Sequence, residues 1–290
     1  MKENKKAGLW ISLLFGLWAV IGAFLVFVVF DHWNETWIAK AGNYSESLGI
    51  FRLDEVWVIK YLYPAFHDLA VVGGVIMIVA AYMYWKNYST AWNIGVIGSL
   101  IAVQGTFFSQ IGSASAGIFP MYTIIAIPNL IAFFLYISVA KKFPGKAIAF
   151  SALGGMMYVL ALMNGVASSS RMSQMALLQE KADPTHIGVP ENLAMFASVQ
   201  QLNWIGMIAW AVFLIGFLFR KKWILPIGVG AAILNVIGGI PLGLESVLAG
   251  SAFSMFFLAP IFALIILTII LLPRGREMLI GDWQPKVKTK

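Results

Sequence analysis

The chain has 290 residues, 60% hydrophobic and 11% charged, with a formal net charge of +7 and no cysteine. Soluble domains average about 45–50% apolar and about 25% charged residues, so this composition belongs to the membrane class. It excludes disulfides, thiolate metal sites and cysteine nucleophiles, and its three histidines are too few for a multi-haem protein.

Taken in order, the apolar runs predict eight spans of about 20 residues or more, the length that crosses a bilayer. A basic start (MKENKK) precedes the first, over 7–30. That run is too long for the apolar core of a signal peptide and reads as a retained helix. A polar segment, 31–55, carries Trp33 and Trp37, indoles suited to the membrane interface. The second span covers 56–85, and 86–90 makes a turn before the third, over 91–113. A small-residue turn (SASAGIF, 113–119) leads to the fourth, over 121–140, which contains Pro128-Asn129. After a basic Pro-Gly loop (KKFPGK) comes the fifth, over 147–168. A second polar segment, 169–191, has Pro184 and Pro190 as breakers. The sixth (192–219), seventh (223–244) and eighth (246–272) spans follow, and 273–290 is a basic tail expected to lack fixed structure.

With both termini inside, the inner side holds 15 of the 20 Lys and Arg residues, and the outer half holds 10 of the 13 acids. This matches the positive-inside bias and predicts a multi-pass plasma-membrane protein with cytoplasmic termini. The basic residues sit in short loop clusters, so no nucleic-acid partner is expected. Membrane lipid, a small polar ligand or ion, and further copies of the chain are the partners that fit.

A shift of 133 residues places Ile94-Gly95-Val96 on Ile227-Gly228-Val229, Gly73 on Gly206, Val103 on Val236 and Gly105 on Gly238. Pro128 meets Pro260 after a one-residue slip, and each half follows its first span with a polar segment. The fold class expected is therefore an all-α membrane protein of eight transmembrane helices in two parallel four-helix repeats, 1–142 and 143–276, with a basic cytoplasmic tail, 277–290.

The residues that could carry chemistry are the polar ones inside the spans. His67 and Asp68 are adjacent in the second span, three residues after Pro64. Aspartate inside hydrocarbon costs about 2.5–3.5 kcal/mol on insertion scales, so it requires a partner, a proton or a wet cavity. The two side chains lie ~100° apart around a helix and do not stack on one face. They read either as a structural clamp or as a substrate or proton site. Under the 133-residue shift they correspond to Gln200 and Gln201, which with Asn203 form a polar patch on the sixth span. Amides there commonly glue helices together. The histidines and nearby aspartates show no HxxxH or HxxE spacing, so no metal site is expected.

The plan of eight helices in two four-helix halves resembles haem A synthase. That resemblance implies histidine pairs in each half to hold haem. Only His67 lies within a span here, so neither haem nor any other cofactor is expected. The leading functional expectation is a small-molecule or ion permease with its site between the second and sixth spans. Asp68 would be its proton- or cation-sensitive group, with His67, Gln200, Gln201 and Asn203 supplying hydrogen bonds. The alternatives are an intramembrane enzyme acting on a lipid or quinone, with His67 and Asp68 as acid–base groups, and a non-catalytic membrane subunit or sensor.

Overall fold

A computed structural model describes residues 3–48, 63–115, 119, 121–182, 191–248 and 254–280. Residues 49–62, His186, the breakers Pro184 and Pro190, and the last ten residues lie outside it. The chain forms two compact units, Met1–Ile148 and Ala149–Lys290. All regular structure among the described residues is helical. The first unit contains α1 (Lys5–Leu48), α2 (Tyr63–Trp85), α3 (Ala91–Ser115) and α4 (Thr123–Leu135), which continues as a π turn, Tyr136–Ala140. Next come α5 (Gly145–Ala182), α6 (Glu191–Leu218), α7 (Ile224–Leu248), a 3-10 turn (Met255–Phe257), α8 (Leu258–Leu271) and α9 (Pro273–Ile280).

Among the described residues, six helices are long and apolar enough to cross a membrane: α1, α2, α4 with its π turn, α5, α6 and α7. These mark a multi-pass membrane protein. Two expected spans fall short among the described residues, with apolar stretches Ala91–Phe107 in α3 and Leu258–Leu271 in α8. The start of the expected eighth span belongs instead to α7, which continues through Glu245 to Leu248. The first and fifth helices depart in the other direction. Each runs on through the polar segment expected to follow it, giving helices of 44 and 38 residues. Polarity marks where lipid ends, not where a helix ends, and neither helix contains a proline to stop it. The tail also departs from expectation. Its first eight residues form α9, with Leu279 buried and the Arg276 Nε donating to the Ile270 carbonyl at 3.3 Å.

In the first unit the helices close into a ring through small residues. Between α1 and α2, a side chain at Gly16 would meet the Gly74 carbonyl, and one at Gly74 would meet that of Gly16. Between α2 and α3, Gly73 faces the Ala102 backbone and the Gly98 carbonyl so closely that a Cβ would stand 2.5 Å from each. α4 closes on α3 through the Trp92 indole, which donates to the Tyr136 carbonyl at 3.0 Å, and on α1 through Ser12, bonded to the Tyr136 hydroxyl at 2.7 Å. Lipid offers no hydrophobic drive to helix pairing, so such close approach and interhelical bonding are what hold a bundle together.

The second unit follows a similar plan with other side chains. Gly165 of α5 sits under the Trp204 ring of α6, and Phe196, Val199 and Leu242 cluster with Met172 and Phe256. α7 meets α8 where Gly228 faces Ile270 and Gly239 faces Pro260.

Each unit handles one proline in the same manner. A proline in a helix has no N–H for the carbonyl four residues back. Pro128 frees Ile124, and the Trp18 indole of α1 donates to that carbonyl at 2.9 Å. In the second unit the Asn164 amide of α5 donates at 3.3 Å to the Phe256 carbonyl, four residues before Pro260 in the first turn of α8. The turns after α2 and α6, 133 residues apart, also share their geometry. Asn87 (φ 62°) and Arg220 (φ 55°) adopt the left-handed conformation. Around them Asn87 N–H bonds Tyr84 and Tyr88 bonds Met83, as Arg220 bonds Phe217 and Lys221 bonds Gly216. This is the Schellman cap, which satisfies the last carbonyls of a helix.

Candidate functional site

The described part of α2 begins at Tyr63 and Pro64. The carbonyl four residues before Pro64, that of Lys60, lies outside the described residues. One turn further, His67 and Asp68 part company. His67 is buried, with 5% of its surface exposed, while Asp68 is exposed. The ~100° step between neighbours on a helix produces this split.

The His67 Nε2 lies 3.0 Å from the Ala23 carbonyl of α1. A carbonyl only accepts, so that nitrogen carries the proton and a neutral ring presents Nδ1 as an acceptor. Nδ1 is buried and has no hydrogen-bond partner among the described residues. The ring also meets Tyr122 edge-on, with centroids 5.2 Å apart. His67 is thus clamped on one side and unanswered on the other.

The amides of α6 have different surroundings. Gln201 is exposed and Gln200 half-buried, whereas Asn203 is fully buried. The Asn203 amide nitrogen donates to the Val199 carbonyl of its own helix at 2.8 Å and to the Gly238 carbonyl of α7 at 3.1 Å. Asn235 of α7 donates to the Asn203 oxygen at 3.5 Å and accepts from the Trp210 indole. Each asparagine rests over a glycine of the opposite helix, Asn203 over Gly238 and Asn235 over Gly206. The sequence carries this clasp as two NxxG steps, Asn203-Trp-Ile-Gly206 and Asn235-Val-Ile-Gly238. Their i, i+3 spacing puts amide and slot on one helical face. Asn203 therefore serves the α6–α7 seam, and the exposed group of the expected patch is Gln201, with Gln200 half-buried beside it.

A polar stripe absent from the sequence-derived candidates runs down α4. Tyr122, Asn129 and Tyr136 follow one another at seven-residue spacing, and each has 0% of its surface exposed. The Asn129 nitrogen bonds back to Ile125 at 2.9 Å, while its oxygen is buried without a partner among the described residues. The seven-residue spacing is the signal that could have found the stripe; beside Pro128, Asn129 reads in the sequence only as an interruption of the span. Among the described residues, no group of three or more His, Asp or Glu side chains could hold a metal ion. No protein family, curated protein or solved structure matches this chain.

Proposed function

We propose that this protein is a permease for a small polar solute or ion, with His67 and Asp68 as the groups that meet it. The observation behind the reading is the His67 ring, buried in a helix able to cross a membrane and with Nδ1 unanswered. A buried acceptor left unmade costs about 1–3 kcal/mol. A polar visitor that donates to it offsets that cost. Asp68, exposed one residue away, supplies the charge that attracts a cation or carries a proton. Gln200 and Gln201 are offered as further ligand contacts, and Asn203 as their support within α6.

The same proposal includes eight spans in two parallel four-helix repeats, placed in the plasma membrane with both termini inside. The recurrence of the Schellman turns at a 133-residue interval supports the repeat, as do the two proline carbonyls capped from the first helix of each unit. The distribution of basic residues supports the orientation.

The test is electrogenic uptake by the purified protein in proteoliposomes, screened over small polar solutes at several pH values. We expect a pH-dependent current that Asp68→Asn abolishes without loss of protein. No current with any solute, together with conversion of an extracted lipid that His67→Ala stops, would replace the permease with an intramembrane enzyme.

A further inference from the structure

We infer that the core of the first unit carries a proton path running the length of α4, with Asn129 at its midpoint. The inference rests on the permease reading for its purpose and names the proton as the coupled ion.

The path is drawn by polar side chains in an otherwise apolar bundle. Tyr122, Asn129 and Tyr136 are fully buried and two helical turns apart, about 10 Å per step. At one end His67 lies edge-on to Tyr122 and offers Nδ1 as an acceptor. At the other, Ser12 Oγ donates to the Gly8 carbonyl at 2.7 Å. Its 2.7 Å bond with Tyr136 therefore has the tyrosine hydroxyl as donor. The Tyr84 hydroxyl lies over Gly8 and is itself buried without a hydrogen-bond partner among the described residues. The series begins at one titratable group of α2, His67, and ends at another, Tyr84.

Asn129 distinguishes a path from ordinary glue. The buried asparagines of the second unit, Asn203 and Asn235, bond to each other across two helices. Asn129 bonds only its own helix, and its oxygen faces no donor. Two unanswered acceptors, His67 Nδ1 and Asn129 Oδ1, sit in one bundle. Buried water answers such groups. A carboxamide oxygen does not take up a proton near neutral pH, so Asn129 orients water while hydroxyls and water do the carrying.

Each transfer is balanced. A proton arriving at His67 Nδ1, or at a water bonded to it, makes one N–H or O–H bond. Each carrier then breaks one such bond as it forms another, and the proton leaves on water at the Tyr84 end. Water is the only co-reactant. The titratable groups facing the path are His67, Asp68 and Tyr84 from α2, Tyr122 and Tyr136 from α4, and Glu3 and Lys5 at the start of α1; α3 has none. Between the polar steps, Ile125, Ala126, Ala132 and Phe133 are buried and apolar. They offer no oxygen cage to a metal cation, which needs about six ligands.

The experiment places the full chain in liposomes loaded with a pH-sensitive dye and drives protons inward with a potassium diffusion potential. We expect proton flux above that of empty liposomes. Asn129→Leu, which keeps the branching at Cγ and removes the acceptor, should reduce it at least about tenfold, as should Tyr136→Phe. Melting and gel filtration identify a variant that has not folded, and Tyr136→Phe, which removes one oxygen, carries the test if Asn129→Leu does not fold. Wild-type flux no greater than that of empty liposomes, or unchanged flux in both folded variants, would overturn the path. Solute uptake that needs Asp68 but is indifferent to Asn129→Leu would sink the path and leave the permease standing. Flux lost in Asn129→Leu with no solute uptake at all would do the reverse.

Discussion

The α2–α3 seam of the first unit and the α6–α7 seam of the second join their helices at corresponding positions with opposite materials. Gly73 lies against backbone, at Ala102 and Gly98, while Gly206, 133 residues later, faces the tip of the Asn235 side chain. Ala70 and Ala102 are fully buried where the second unit has Asn203 and Asn235, also fully buried. One seam gains from close approach and contains nothing adjustable. The other keeps its helices further apart and fills the gap with amides that can shift by a few tenths of an ångström. Two ways of satisfying a helix pair in lipid are thus available to one arrangement, and they should fail differently.

The sharpest break comes from adding a methyl group to each seam. In the first, the new Cβ meets two backbone atoms of α3, the Ala102 nitrogen and the Gly98 carbonyl oxygen, so the helices must separate. Gly73→Ala should destabilise the protein by roughly 2–3 kcal/mol, the range of overpacked cores. Gly206→Ala meets an amide tip at 3.0 Å and should cost about 1 kcal/mol or less. Unfolding in detergent, followed by tryptophan fluorescence, measures both. Equal losses would mean that the seams do not differ in the way described.

A smaller effect sharpens the amide side. Asn203→Ala and Asn235→Ala should each cost on the order of 0.6–1.7 kcal/mol, the range of interhelical hydrogen bonds in membranes. The double variant, which copies the alanine pair of the first unit, should lose less than the sum by about 0.5–1 kcal/mol. Strict additivity would show that the two amides do not act together. The smallest effect concerns the proline carbonyls, where the two units agree rather than differ. Trp18→Phe removes the donor to Ile124 and should cost about 1 kcal/mol. That loss should shrink in a Pro128→Ala background, because the substituted alanine supplies the missing N–H itself. Asn164→Leu should respond to Pro260→Ala in the same direction.

Six of the eight expected spans were legible, because long apolar runs bounded by charge have few other readings. The turn around Asn87 was legible for similar reasons, as was the separation of His67 from Asp68, which follows from helical pitch alone. The ends of α1 and α5 were not, since nothing in a polar segment without proline says whether the helix continues. The clasp was half legible: Asn203 stands out as an amide within a span, but its bond to Gly238 and its neighbour Asn235 depend on which helix lies opposite. The state of Asn129 was beyond reading in principle. Whether a buried amide is answered is decided by its surroundings in space, and its sequence neighbours, Pro128 and Leu130, are silent on that.

The length of α1 has a mechanical consequence. At 1.5 Å per residue its 44 residues make a rod of about 66 Å, roughly twice the thickness of hydrocarbon. A helix without proline resists bending, so it acts as a lever with its fulcrum in the bundle. A tug or twist applied to the far arm would reach Ala23 and Trp18, and through them the His67 clamp and the first turn of α4.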